Sequence, residues 1–278
     1  MSDPLELLRA RYGADHIPAS ASRYAPDAIN PVLETLLAHR SVRGFRKDAL
    51  PAGTLELLIA AAQSAPSSSN LQTFSVVSLE EPERKSRVAT LAADQEFIRE
   101  APLFLAWLAD LSRLQHIADA GQVEAEGLQY LDTFLMGAID AALAAQNVVT
   151  AAESLGLGTV YVGALRNQPL EVARELGLPQ GVFPLFGLAV GVPDAARPAS
   201  VKPRLPQELV LHREQYNTAP VDAGIARYDT LIADFNRSQG LPPARWTERT
   251  LERVRSVSAL RGRDKLREQL GVQGFELK

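Results

Sequence analysis

Apolar positions recur along this chain with a helical period in some stretches and gather into short continuous runs in others. In 54–64, Leu55, Leu58, Ile59 and Ala62 share one helical face, with Thr54 placed as the N-cap. Residues 31–38 form a second helix that starts on Pro31, a residue suited to a first turn. The run Pro66-Ser67-Ser68-Ser69-Asn70 breaks the pattern, and 74–79 follows as a β-rich strand. Residues 82–92 read as a helix and 102–109 as a buried strand. A mostly helical region spans 119–156, in one or two pieces. Its second part, 136–155, is Ala-rich and apolar nearly all round, and Gly156 is placed to end it. Then come a short strand (159–162), a short helix (170–176) and an apolar strand (183–190). The stretch 193–206, punctuated by Pro193, Pro198, Pro203 and Pro206, should run extended. Residues 221–235 and 246–270 read as polar amphipathic helices, and 1–28 as a helix and a loop. Few strands among many helices predict one sheet covered by helices.

The chain has 278 residues and a hydrophobic content of 46%, enough for a full core. A net charge of −4 argues against a nucleic-acid or membrane-surface role, since both need a positive field. With no cysteine, the chain has no disulfide, thiolate catalysis or iron–sulfur ligation, and any electron transfer must use a bound cofactor. The first residues lack a basic region followed by an apolar one, and the longest apolar runs, 103–109 and 181–192, are short for a membrane span. The expectation is a cytoplasmic protein with no membrane or nucleic-acid partner.

Against this acidic background, His39-Arg40-Ser41-Val42-Arg43-Gly44-Phe45 stands out. Arg40 and Arg43 offer forked donors and Ser41 a hydroxyl, a set that suits a bound phosphate; the alternative is a solvated basic turn. Lys202-Pro203-Arg204-Leu205-Pro206 repeats the theme on a stiff backbone, as an anion site or a charged linker. The hydroxyls of Ser67, Ser68 and Ser69 could meet the edge of a planar heterocycle or form an ordinary polar loop. Gly156-Leu157-Gly158 is not a dinucleotide fingerprint. Tyr161 holds the third glycine position, and the order is helix, glycines, strand. Gly163-Ala164 at a strand end would let a ligand approach the backbone closely. The histidines His16, His39, His116 and His212 form no pair with metal-ligand spacing, so no metal site is expected.

In their order, these segments resemble the FMN-dependent nitroreductase superfamily, in its NADPH-preferring branch of oxygen-insensitive nitroreductases and NADPH–flavin oxidoreductases. HRSVRGF at 39–45, SAPSSSNLQTFS at 64–75, AAQNVVTAAESLGLGTVYVGALRN at 144–167, PLFGLAVGVP at 184–193 and KPRLP at 202–206 carry the resemblance, over residues 30 to about 235. It implies an α+β fold, a mixed and mostly antiparallel sheet wrapped by helices, in an intertwined homodimer with FMN at the subunit interface. Residues 1–28 would be an N-terminal extension, 29–240 the FMN-binding domain and 241–278 a C-terminal helical extension. The FMN phosphate would be held by His39, Arg40, Ser41, Arg43, Lys202 and Arg204. Ser67, Ser68 and Ser69 would reach the ring from the partner subunit, and Gln95 would touch its polar edge. Tyr161, Val162, Gly163, Ala164 and Leu165 would line the isoalloxazine, with Arg166 and Asn167 continuing that strand end. Ala164 stands where the family frequently has glycine. Gln239 occupies the slot expected for an arginine on the NADPH 2′-phosphate, which leaves Arg237 and Arg245 as neighbouring candidates. The implied activity is two-electron ping-pong transfer from NADPH or NADH to nitroaromatics, quinones or flavins, with the chemistry at flavin N5 and no catalytic protein residue. A specialised flavoenzyme of the same fold, dehalogenase-like, and a flavin-binding protein without turnover are the alternatives.

Overall fold

The computed structural model describes residues 4–13 and 29–278. The chain forms two compact units, Met1–Arg40 with Ser200–Leu260, and Ser41–Ala199 with Arg261–Lys278. Of the 1–28 segment, a helix α1 (Pro4–Tyr12) is seen. The loop expected after it, with His16, lies outside the described residues.

The second unit is built on a four-stranded sheet in the order β1 (Phe74–Leu79), β2 (Leu103–Asp110), β4 (Val182–Gly191), β3 (Gly158–Val162), every neighbour antiparallel. A parallel bridge from Ser41 to Thr159 on the edge of β3 adds the mixed character. All eight residues of β2 are buried, which is why the strand reads as one apolar run: it carries helices on both faces. Leu103, Leu105 and Trp107 face α3 (Thr54–Gln63) and α7 (Leu131–Ser154). Phe104, Ala106 and Leu108 face a core with α4 (Pro82–Leu91), α5 (Glu96–Glu100) and α8 (Pro169–Leu176). Pro184 is tolerated in β4 because it lies beyond the end of β3, beside a register shift between Trp107 and Leu108. Gly187 leaves room for Phe104, whose ring would lie 2.1 Å from an added Cβ.

The helical region near 119–156 resolves into α6 (Ser112–Ala120), a 3-10 turn and α7. Gly156 follows α7 at φ 78°, the left-handed end expected of it. α7 revises one expectation: with 24 residues and mean hydropathy 1.4, it is long and apolar enough to cross a membrane. Its buried face instead packs on the sheet through Ala141, Ala144, Ala145, Val148 and Ala152.

The first unit holds α1, α2 (Pro31–Ala38), α9 (Val221–Ser238) and α10 (Trp246–Val254). α2 begins as expected, and the side chain of Asn30 caps it by accepting from the Leu33 N–H. At α3 the N-cap is Gly53 in the left-handed region at φ 82°, so Thr54 is the first helical residue rather than the cap. The helix expected over 246–270 is broken. α10 stops at Val254, 3-10 turns follow at Ser258–Leu260 and Arg263–Lys265, and α11 spans Leu266–Val272. Arg261 and Gly262 take φ 54° and 86°, a conformation no helix can pass through.

Candidate functional site

The segment after α2 starts in the first unit. His39 is the C-cap of α2, half-buried, and Arg40 is exposed. In the same unit, Lys202 and Arg204 are exposed on either side of buried Pro203. The guanidinium of Arg11 on α1 ties these two stretches together. It donates to the carbonyls of Leu37 (3.0 and 3.1 Å), His39 (2.6 Å) and Lys202 (3.0 Å). In return the Arg11 carbonyl accepts from the Arg204 N–H at 2.8 Å. The hydroxyl of Tyr228 donates to the Pro203 carbonyl (3.1 Å), and burial pushes that phenol's pKa up. The backbone of both cationic stretches is therefore fixed while their charged side chains stay at the surface. Arg204 also borders a cavity of about 640 Å³ with Tyr12, Gln207, Tyr228 and Trp246.

Ser41 and Arg43 belong to the second unit. Val42 is buried, and its N–H donates to the Thr159 carbonyl at 2.9 Å, so Ser41 and Arg43 are turned outward along the edge of β3. Gly158 makes this approach possible, because a Cβ there would lie 2.8 Å from Val42. The guanidinium of Arg43 sits over the Phe97 ring at 6.0 Å. Among the described residues Arg40, Arg43 and Arg204 make no ion pair with a carboxylate, whereas Arg99, Arg113, Arg197 and Arg227 all do.

On the same sheet edge, Tyr161 is exposed and packs edge-on against Phe186. Partial desolvation by the surrounding protein raises its pKa, with a smaller push from Glu153. Gly163 and Ala164 are half-buried in a 3-10 turn. Val162 and Leu165 point into the core, so only their main chain is left to face a ligand. Arg166 donates to the Leu185 carbonyl, and Asn167 accepts from Arg263 at 2.9 Å, so both hold the turn in place.

The serine loop lies at the other edge. The sheet order puts β1 and β3 three strand spacings apart, about 14 Å. Ser67, Ser68 and Ser69 lead into β1, so one chain keeps them away from its own Tyr161–Leu165. Their conformation depends on Asp140 of α7, which is 1% exposed. Asp140 accepts from the Ser67 hydroxyl (2.7 Å), the Ser68 N–H (3.0 Å), and the Thr73 N–H (3.2 Å) and hydroxyl (3.0 Å). The Ser67 oxygen in turn accepts from the Gln72 N–H, so that hydroxyl links the loop to α7 and to its own main chain. Ser69, Asn70 and Gln72 all adopt positive φ, which these bonds hold in place. Gln95 is half-buried and donates its amide to the Ala92 carbonyl at 2.7 Å.

Arg237 and Arg245 are exposed in the first unit and paired locally, Arg237 with Asp234 and Arg245 with Glu248. Residue-type reading missed Asp140 and Arg11. A carboxylate in the Ala-rich middle of α7, away from Asp132 and Glu153 near its two ends, was the available signal for Asp140. Nothing in the local sequence marks Arg11.

The nitroreductase family model matches residues 36–192, and the model of that family's C-terminal domain matches 202–278. An FMN reductase (NADPH) of Bacillus subtilis is 39% identical over 228 residues, 80% of this chain and 91% of that protein. An oxygen-insensitive NADPH nitroreductase of Salmonella typhimurium is 38% identical over 213 residues, covering 76% and 85%. Among solved structures, the hypothetical oxidoreductase YcnD of Bacillus subtilis superposes with a TM-score of 0.85 at 38% identity, over 90% of this chain and all of that one.

Proposed function

The chain belongs to the nitroreductase family, and from that premise we propose that it is an FMN-dependent NAD(P)H oxidoreductase that reduces nitroaromatics, quinones or flavins. FMN, when bound, supplies the two-electron relay between the nicotinamide donor and an acceptor that takes its place. The observation that supports the reading is the pair of outward guanidiniums of Arg40 and Arg204 in the first unit, which among the described residues make no ion pair with a carboxylate, with Arg43 of the second unit proposed to join them. Such donors on a fixed backbone suit a phosphate, and His39, Ser41 and Lys202 complete the set. The planar part of the cofactor would lie against Tyr161, the main chain of Val162 and Leu165, and the half-buried Gly163 and Ala164. Ser68, Ser69 and Gln95 are the polar groups offered to its edge, with Ser67 supporting the loop. The Arg40→Ala/Arg204→Ala double variant is expected to purify without flavin, read from the visible spectrum. Full retention of the flavin refutes the phosphate assignment.

We further propose that the working unit is a homodimer. Two features support it. The serines and Tyr161–Leu165 of one chain lie at opposite sheet edges, so a second copy is needed to bring them to one ring. In addition, α7 leaves an apolar stripe of Leu131, Leu135, Ile139 and Leu143 exposed.

For the coenzyme, Arg237 and Arg245 are the proposed contacts to an NADPH 2′-phosphate. Their present pairs are exposed and weak, and a charged hydrogen bond to phosphate is worth about 1.5–3 kcal/mol. Replacing both by alanine should raise KM for NADPH roughly 10- to 100-fold, from that free energy. KM for NADH should stay within error. An equal effect on both coenzymes would remove these residues from the 2′-phosphate site.

The decisive test of the activity is an anaerobic titration with NADPH. Bleaching of the flavin band, and its return on adding a quinone, is the expected result. A yellow protein that NADPH does not bleach would refute the oxidoreductase reading.

A further inference from the structure

The family models begin at residue 36, so α1 lies outside the family match, yet it contributes a nearly buried guanidinium to the two cationic stretches. We propose that Arg11 is a positioning residue for the phosphate site, fixing the stretches that carry His39, Arg40, Lys202 and Arg204 in one geometry. The inference rests on the phosphate reading above.

Three carbonyls converge on this one side chain. Leu37 and His39 come from the end of α2, where the last turn leaves carbonyls without helical partners. Lys202 comes from the proline-flanked stretch far along the chain. A planar guanidinium can serve all three at once, through Nε and both terminal nitrogens. The main-chain bond from Arg204 to the Arg11 carbonyl closes the clamp from the other side. Neither stretch has regular secondary structure to hold its position. His39 and Arg40 follow the end of a two-turn helix, and 201–206 is neither helix nor strand. Without the guanidinium, the Tyr228 bond still anchors Pro203, but the side-chain bonds to three carbonyls that join the 201–206 stretch to the end of α2 are lost. A phosphate needs several donors aimed at one point, so preorganisation of this kind acts on affinity for the phosphate and leaves ring contacts unchanged.

That distinction supplies the test. Riboflavin has the same ring system as FMN and no phosphate. The full-length chain, stripped of flavin, is titrated with each, following flavin fluorescence. In Arg11→Met, FMN affinity should fall on the order of 10- to 100-fold, by analogy with the loss when the partner that orients a metal-ligating residue is removed. Riboflavin affinity should hold, so the preference for FMN shrinks by the same factor. A variant that keeps the wild-type FMN/riboflavin ratio, or loses both flavins equally, overturns the inference. If Arg11→Met does not fold, Arg11→Lys decides. An ammonium on a flexible stem cannot bridge three carbonyls in one plane, so an intermediate ratio is expected and a wild-type ratio overturns the proposal. A wild-type chain that binds riboflavin as tightly as FMN would instead refute the phosphate assignment itself.

Discussion

Asp140 shows how one side chain sets the shape of a loop that sequence reading treats as simply polar. Its two oxygens accept four hydrogen bonds from Ser67, Ser68 and Thr73, of which the two from Thr73 are buried and those from Ser67 and Ser68 are partly so. An asparagine would present an amide to some of them, leaving at least one buried donor unsatisfied, which costs about 1–3 kcal/mol. Asp140→Asn should therefore lower the urea midpoint and loosen the 67–73 loop, seen as faster amide exchange at Ser68 and Thr73. Exchange rates unchanged from wild type would show that the loop holds itself. The serines were legible as a cluster because hydroxyl residues at a helix end are conspicuous. Their division of labour was not, because it depends on a carboxylate that meets them only in the fold. Ser67 is spent on the loop, and Ser69 is exposed.

At the scale of elements, α7 was recognisable from apolarity alone, but apolarity could not say which side faced what. One face, with Gly137 and Asp140 among alanines and valines, lies on the sheet. The other, stepping by four through Leu131, Leu135, Ile139 and Leu143, is 41–56% exposed. Fully burying side chains of this kind stabilises by about 1.5–3 kcal/mol each, a strong reason for a second copy to cover them. Ile139→Glu puts a charge in the middle of that stripe without touching the core below. It should convert a dimer to a monomer in sedimentation velocity, with flavin lost in parallel if the partner's serines are needed at the ring. A dimer that persists in this variant would exclude the stripe as the contact. The broken helix after Val254 failed for a related reason. Amphipathic period carried through 246–270, yet α10 already ends at Val254, and a second interruption falls at Arg261 and Gly262 in the left-handed region, of which only Gly262 was a readable signal.

Across the whole molecule, chain order and spatial grouping part company. The second unit is closed by residues 261–278, which follow a long excursion of the chain through the first unit. The strands and the family resemblance were readable because each rests on local pattern, and so was the sandwich of sheet between helices. This return was not, since nothing in 261–278 alone says which core receives it. Phe275 is 2% exposed and meets Phe134 and Phe183 edge-on, with ring centroids 5.3 and 6.3 Å away. The main chain then pairs back near the start of α7, with the Lys278 N–H donating to the Gln129 carbonyl and the Leu131 N–H to that of Lys278. These bonds hold the end of the chain, but they lie at the surface and exchange readily with water. The buried ring must carry most of the docking. Phe275→Ala removes that ring from a closed apolar cluster and should cost about 3–5 kcal/mol in urea denaturation. The same substitution leaves Arg40, Arg43 and Arg204 untouched, so flavin bound per folded chain should be unchanged. A loss below about 1 kcal/mol, the scale of an ordinary surface change, would mean that the C-terminal segment rests on the second unit without being part of its core.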